Sequence, residues 1–374
     1  MLVMIQRTLK PIIEGKISTG KAILVIGPRQ VGKTTLIKEL LSGKDFLFLD
    51  GDDPTIRQLL INPNTEQLKD LIKDKLIVFL DEAQRVENIG ITLKIIVDQI
   101  KSTQLFVSGS SSFEISNLTS EPLTGRKWEY TLYPISWREF EHYTGVLKAI
   151  QQLPLRLVYG MYPEIISNTG SEFELLKQLT ESYLYKDVLA YGAIRKPDVV
   201  KKLLQALAHQ VGSEVSLREL SNLLSVDVKT VSSYIHILEQ AFVIFRLGAF
   251  SRNLRNEIKT NQKIYFYDNG ILNMLKGNLN PLETRNDIGS LWENFLISER
   301  VKKNDYQQSL AQIYFWRTRQ QQEIDFVEDV GGNIFAFEFK WKPTAKVKIP
   351  SSFIKAYNAD FKVIKSDNFR EFIG

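Results

Sequence analysis

No cysteine occurs in the 374 residues, so disulfides, thiol nucleophiles and cysteine-type zinc sites are excluded. Histidine is almost as scarce, and the spacing of the three present, His142, His209 and His236, suggests no metal cluster. No apolar run approaches the roughly 20 residues that cross a bilayer. The opening Met1-Leu2-Val3-Met4-Ile5-Gln6-Arg7 is too short and too soon interrupted to read as a signal peptide. The expectation is a soluble, cytoplasmic protein without a membrane partner. A large surplus of one charge is also missing. The formal +5 permits a nucleic-acid partner without demanding one, so that question turns on where the basic residues cluster. Apolar residues are plentiful, at 44%, and a chain of 374 residues is too long for one ordinary core, which suggests two or three domains.

The most informative stretch is Gly27-Pro28-Arg29-Gln30-Val31-Gly32-Lys33-Thr34-Thr35. It follows the apolar run Ala22-Ile23-Leu24-Val25-Ile26 and leads into Leu36-Ile37-Lys38-Glu39-Leu40-Leu41, so it reads as strand, loop, helix. In a G-x-x-x-x-G-K-[ST] loop, the terminal glycines let the backbone curl until its N–H groups point at phosphate oxygens, and the helix adds its positive N-terminal dipole. Lys33 is then placed to reach the β- and γ-phosphates, and the Thr34 hydroxyl to bind Mg²⁺.

The run Asp45-Phe46-Leu47-Phe48-Leu49-Asp50 reads as the next strand, and Leu76-Ile77-Val78-Phe79-Leu80 as another that ends in Asp81-Glu82. An acidic pair at such a strand end suits a Walker B role: Asp81 supports Mg²⁺ through water and Glu82 orients the attacking water. The strand Leu105-Phe106-Val107-Ser108-Gly109 runs into Ser110-Ser111-Ser112. Ser110 is the candidate to sense the γ-phosphate or position water, the alternative being a plain polar turn. Arg126, in Leu123-Thr124-Gly125-Arg126, reads either as an arginine finger acting in cis or across a subunit interface, or as an ordinary surface arginine.

The middle of the chain alternates helical stretches with Pro154, Gly160-Met161-Tyr162-Pro163 and Gly192, suggesting a helical lid and linker. Arg156 and Arg195 are lid arginines or surface charges; spacing does not choose. Ser216-Leu217-Arg218-Glu219 is a capping box opening a helix with Leu217, Leu220, Leu223 and Leu224 on its apolar face. Asp227 caps a second helix that carries Val228, Val231, Tyr234, Ile235 and Leu238. This pair is a helix-turn-helix candidate, exposing Lys229, Thr230, Ser232, Ser233 and His236. Strand-like runs at 242–247 and 263–267 flank Arg252, Arg255 and Lys259, which resembles the wing of a winged helix. Such a module contacts DNA phosphates or serves as a protein–protein spacer or an ATPase lid.

Near the carboxyl end, Leu291-Trp292-Glu293-Asn294-Phe295-Leu296-Ile297 reads as an amphipathic helix. The strands Ile313–Arg317, Glu323–Val327 and Ile334–Trp341 follow, the last two joined by a Gly331-Gly332-Asn333 hairpin turn. Alternation puts Phe335, Phe337, Phe339 and Trp341 on one face and Ala336, Glu338 and Lys340 on the other. A charged pair there is either solvated or, together with Asp325 on the neighbouring strand, a site in which two carboxylates hold Mg²⁺ against a phosphate while the lysine acts on water.

The runs G-P-R-Q-V-G-K-T-T-L at 27–36, L-D-E-A-Q at 80–84, S-G-S-S-S at 108–112, L-T-G-R at 123–126, Y-P-I-S-W-R-E-F at 133–140 and Y-G-M-Y-P-E at 159–164 resemble a family of archaeal and bacterial AAA-type ATPases. The C-terminal region of that family belongs to the PD-(D/E)xK nuclease-like group. The resemblance covers nearly the whole chain and implies an ATPase core, monomeric or oligomeric, joined to a DNA-related C-terminal half. Asp325, Glu338 and Lys340 match D…E-x-K, and Glu293 corresponds to the acidic helix residue upstream. The expected fold is an α/β chain: a doubly wound parallel-sheet P-loop core at 1–145, a helical lid and linker at 146–205, a winged-helix-like module at 206–270 and a small α/β nuclease-like domain at 271–374. The expected activity is a Mg²⁺-dependent ATPase, with ATP and Mg²⁺ bound, whose nucleotide state controls DNA binding or cleavage by the C-terminal half. The alternative is an ATP-driven signalling or partner-binding switch with an inactive nuclease-like domain.

Overall fold

A computed structural model describes residues 4–110, 123–181, 194, 196–251, 262–318 and 320–374. Among them, no helix is long and apolar enough to cross a membrane. Ser111, Ser112, Gly192, Arg195, Arg252, Arg255 and Lys259 lie outside the described residues. The chain divides into two compact units, one of Met1–Ile135 with Gln240–Phe242, the other of Ser136–Glu239 with Val243–Gly374.

The first unit is built on a parallel sheet of β1 (Ala22–Ile26), β2 (Leu47–Asp50), β3 (Ile77–Asp81), β4 (Gln104–Gly109) and β5 (Lys127–Thr131), in the order β2-β3-β4-β1-β5. All five residues of β1 are buried, as an uninterrupted apolar run in a parallel sheet requires. Parallel pairing needs crossover connections, and helices Lys33–Leu40, Pro54–Leu60, Thr65–Ile72 and Ile89–Gln99 lie in them. Asp53 and Asn64 cap two of these helices, Asn64 in a complete capping box with Gln67. Because the strands run the same way, Gly27, Asp50, Asp81 and Gly109 all leave the sheet at one edge, where the loops that follow can share a ligand.

The second unit holds a seven-stranded mixed sheet in the order β12-β11-β10-β9-β7-β8-β6. Its strands are β6 (Glu214–Val215), β7 (Ile244–Ala249), β8 (Gln262–Phe266), β9 (Gln312–Arg317), β10 (Glu323–Val330), β11 (Asn333–Lys340) and β12 (Asp360–Lys365). The helix pair Leu217–Leu224 and Val228–Gln240 is present, with Asp227 accepting from the Thr230 N–H at 2.8 Å. Two details differ from expectation. Ser216 accepts from Glu219 N, but the return bond of a capping box is not formed, and Leu223 is 65% exposed instead of facing inward. The antiparallel strands β7 and β8 do not close off a separate wing. β7 also pairs in parallel with β9, at Gly248–Tyr314 and Ala249–Phe315, so one sheet runs across position 270, where the sequence suggested a boundary.

Both faces of β11 are covered. Phe337 and Phe339 pack against Phe326 and Phe372, while Ala336 joins Ile324, Val327, Trp316 and Phe353 in a cluster on the other side. At Ala336 the non-aromatic face is therefore packed, by Phe353 of the Ser351–Tyr357 helix, whereas the Lys340 side chain further along stays 38% exposed. The hairpin turn is the two-residue Gly331-Gly332, with Asn333 already paired to Val330.

The long helix Ile288–Tyr306 anchors this unit. Trp292 and Phe295 meet Phe369, and the helix Trp137–Thr144 adds Trp137, edge-on to Phe295; such aromatic pairs each contribute about 0.5–1.5 kcal/mol beyond area burial. Glu299 Oε2 accepts from the Trp137 N–H at 2.6 Å, and Arg370 Nε donates to Glu141 at 2.6 Å. A second polar anchor explains the Tyr159-Gly160-Met161 motif. The buried Asp268 accepts from the Met161 and Gly270 N–H groups at 2.6 and 2.8 Å, and a Cβ at Gly160 would come within 2.0 Å of its Oδ1. Asn273 Nδ2 donates to the last-turn carbonyls of Leu157 and Val158 on helix Val146–Tyr159 at 2.9 and 2.7 Å. Each buried group left unpaired here would cost about 1–3 kcal/mol.

Candidate active site

The phosphate-type loop takes the geometry its glycines permit. Gly27 has φ 143° and sits so close to Leu132 that a Cβ would lie 2.1 Å from that carbonyl oxygen; Gly32, at φ 94°, opens helix Lys33–Leu40. Lys33 is buried, and its ammonium donates to the carbonyls of Gly27 and Pro28 at 3.0 and 2.8 Å, curled over the loop that it serves. Thr34 and Thr35 occupy the first turn of that helix. Arg7 braces the loop from behind, donating to Val31 O at 2.6 Å and to Tyr133 O at 2.5 Å. Nothing in the local sequence announces Arg7, since its partners lie 24 and 126 residues away.

The Thr34 hydroxyl donates to Asp81 Oδ2 at 2.8 Å, which joins the loop to the end of β3. Asp81 Oδ1 in turn accepts from the Ser108 hydroxyl on β4. The residues expected to hold a metal here, Thr34 and Asp81, are thus within direct reach of each other, and an oxygen pair of this kind suits Mg²⁺. Glu82 follows in the left-handed backbone region, φ 47°, unusual for a non-glycine residue and costing about 1 kcal/mol or more. The amide of Gln84 donates to Glu82 Oε2 at 2.6 Å and to Ser110 Oγ at 2.7 Å. Glu82 and Ser110 therefore come together, through a residue that sequence reasoning passed over although it stands two positions from Glu82.

Arg126 is placed elsewhere. It immediately precedes Lys127, which pairs with Ala22 at the start of β1, whereas the phosphate loop leaves from the end of β1. Five residues at about 3.3 Å each separate the two edges by roughly 15 Å, so a finger in cis is excluded by the strand direction. The Arg126 Nε donates to Asp98 at 2.5 Å, and the pair is partly exposed. Arg156 is not a surface charge: it is buried, 3.9 Å from Glu172, and belongs to the second unit.

In the second unit, the residues of the C-terminal constellation are brought near one another. A register shift between Ile324 and Val327 on β10 marks a bulge around Asp325. Asp325 Oδ2 accepts from the Phe339 N–H at 2.8 Å on β11, and Lys340 donates to Glu338 Oε1 at 2.7 Å. Glu293, on helix Ile288–Tyr306, accepts from Tyr265 OH at 2.6 Å and from Lys263 at 3.2 Å. Burial, then the charges of Glu293 and Glu338, push the Asp325 carboxyl well above the usual range. Burial likewise raises Glu293, against the pull of Lys263 and Tyr265. For Lys340 burial works downward, but the bond to Glu338 and the neighbouring carboxylates outweigh it and hold the ammonium above its ordinary value. Among the described residues, no group of three or more His, Cys, Asp and Glu side chains is disposed to share a metal ion.

Residues 19–141 match an AAA domain model. The first unit is an AAA-type P-loop ATPase domain. Outside this AAA-type domain, residues 150–282 match a domain of unknown function (DUF8612) and residues 288–369 another (DUF4143). An uncharacterized protein of Mycobacterium tuberculosis is 26% identical over 331 residues, covering 87% of this chain and 71% of that protein. An uncharacterized protein of Methanocaldococcus jannaschii is 25% identical over 384 residues, covering 95% and 82%. Among solved structures, the Walker-type ATPase PABY2304 of Pyrococcus abyssi superposes with a TM-score of 0.51 at 14% identity, covering 73% of this chain and 96% of that one, a likeness of fold.

Proposed function

We propose that the protein is a cytoplasmic Mg²⁺-dependent ATPase whose nucleotide state controls DNA engagement by its second unit. The observation that carries the ATPase reading is the Thr34–Asp81 contact at 2.8 Å, which unites phosphate loop and Walker B strand. The backbone from Gly27 to Thr35 cradles the phosphates, and Lys33 exchanges its two loop carbonyls for β- and γ-phosphate oxygens. Thr34 and Asp81 hold Mg²⁺, which when bound offsets charge on those oxygens. Glu82 orients the attacking water and Ser110 supports it through Gln84. Arg126 acts, in this reading, across a subunit interface in a homo-oligomer.

DNA engagement is supported by charge. Lys342, Lys346, Lys348, Lys355, Lys362 and Lys365 stand against Asp360 alone in residues 342–365, a surplus equal to the +5 of the whole chain. All but Lys365 of these six lysines are exposed, and phosphate contacts of this type position nucleic acid without reading its sequence. Whether cleavage accompanies binding depends on Asp325, Glu338 and Lys340. The alternative, a partner-binding switch whose nuclease-like region is a platform, is favoured by the pairing of Glu338 with Lys340 and of Glu293 with Lys263.

One experiment separates the readings. Wild-type, Asp325→Ala and Glu82→Gln proteins are incubated with linear, branched and single-stranded DNA and Mg²⁺, in ATP or ADP. The expected outcome is DNA affinity that differs between nucleotides, with Glu82→Gln locked in its ATP value. Cleavage lost in Asp325→Ala identifies a nuclease; binding without cleavage identifies the platform. No DNA binding in either nucleotide state would overturn the proposal for the second unit.

A further inference from the structure

Lys263, on β8, is wholly buried, and its ammonium lies 2.6 Å from Glu323 Oε1 and 3.2 Å from Glu293 Oε1. An isolated ammonium in such a place would be costly, so its two carboxylate neighbours are what keep it there. Tyr265, two residues on and hence on the same face of β8, donates to the same Glu293 oxygen at 2.6 Å. The second oxygen, Glu293 Oε2, lies against Gly212, where a Cβ would approach it to 3.2 Å. The remaining carboxylates are also engaged, Asp325 by the Phe339 N–H and Glu338 by Lys340. Four acidic side chains, Glu293, Glu323, Asp325 and Glu338, are thus met by two lysines, a phenol and Arg317, whose Nε lies 3.8 Å from Glu323 Oε2.

We infer that Lys263 is a resident cation of this cluster, standing where a divalent ion would otherwise be required, so that the carboxylates coexist at full stability without metal. Divalent cations neutralise clustered carboxylates by taking several oxygens at once. Here Glu293 Oε1 is already shared by two donors, so with Lys263 in place it is engaged and not offered to a metal. The ring of Phe315, with its centroid 5.3 Å from the Lys263 ammonium, adds a cation–π contact that a hydrated divalent ion would not use. The sequence offered no hint of this, since Lys263 reads only as one polar residue in an aromatic strand. The inference does not depend on the nucleotide site in the first unit.

The test is thermal unfolding in an Asp81→Asn background, which removes the nucleotide-site carboxylate, without nucleotide and in either EDTA or millimolar Mn²⁺. The Asp81→Asn protein is expected to melt at the same temperature in both. Lys263→Met is expected to melt about 5 °C lower or more in EDTA and to recover most of the loss in Mn²⁺, which takes the place of the ammonium. Glu293→Gln guards against a Lys263→Met protein that does not fold. With a resident lysine, this change removes a partner and lowers the melting temperature in EDTA. In a metal site stripped of its ion it would relieve repulsion and raise that temperature. A rise in Glu293→Gln, or Mn²⁺ stabilisation with Lys263 intact, would overturn the inference.

Discussion

Gln84 illustrates how much of this protein's chemistry is set by single side chains. Glu82 carries only acceptors, so the Gln84 group facing it at 2.6 Å is the NH₂, and the same NH₂ reaches Ser110. That leaves Gln84 Oε1 buried and without a hydrogen-bond partner among the described residues, an acceptor lying beside the carboxylate assigned to orient water. Gln84→Ala is expected to lower the turnover number for ATP about 10- to 100-fold while ATP affinity changes less than about twofold, because the lost contacts bear on water and not on phosphate. Single-turnover hydrolysis with a parallel binding titration measures both. Weakened binding with an unchanged rate would assign Gln84 to the fold alone. The local run L-D-E-A-Q does not reveal the role of Gln84, because its partners include Ser110, 26 residues away. Lys33, Thr34 and Asp81 are proposed from local pattern, the first two from G-x-x-x-x-G-K-T and the third from its place after an apolar run.

At the scale of elements, the helix Ile288–Tyr306 depends on what precedes it. Asp287 stands at its N-cap without making a side-chain cap bond. Its oxygens instead accept from Arg285 at 2.8 and 2.9 Å and from Lys276 at 3.0 Å. Partial burial works against the charge, but Arg285 and Lys276 prevail and pull the Asp287 carboxyl from 3.8 down to about 2. A depressed carboxyl stabilises the fold above its ordinary value and loses that contribution as pH falls through the folded one. Asp287→Asn should therefore melt about 3 °C below wild type at neutral pH, with the gap shrinking below pH 4, as followed by thermal unfolding across that range. A gap independent of pH would mean that lost packing and not charge is responsible. Elements were read better than their partners. The strands β7 and β8 fall where β-branched and aromatic residues put them, but the pairing of β7 with β9 joins residues 66 apart, beyond any local pattern. Leu223 fits a helical stripe and is still exposed, since a stripe does not say how far the neighbouring element extends over it.

For the whole molecule, the shortness of the chain between the two units is decisive. Leu132 N donates to Ile26 O at 2.7 Å and Tyr133 O accepts from Arg7, so both residues touch the structure that shapes the phosphate loop. Trp137, four residues beyond Tyr133, is fully buried in the aromatic core of the second unit. A change at the loop has few free backbone torsions in which to dissipate before it reaches that core. This covalent economy is what the proposed nucleotide control of the second unit would act through. The position of Arg126, excluded from its own chain's phosphate loop, yields a prediction at the same scale. Mixing Arg126→Ala with Lys33→Ala protein should restore ATP turnover that neither shows alone, because each supplies what the other lacks across a subunit interface. No recovery on mixing would leave Arg126 as the surface partner of Asp98.

The most direct test of the account is a calorimetric titration of ATP into wild-type and Lys33→Ala protein in Mg²⁺. Wild-type protein is expected to bind one ATP per chain, and loss of the Lys33 ammonium to weaken that binding about 10- to 100-fold. Absence of binding by the wild type, or equal affinity in both proteins, would contradict it.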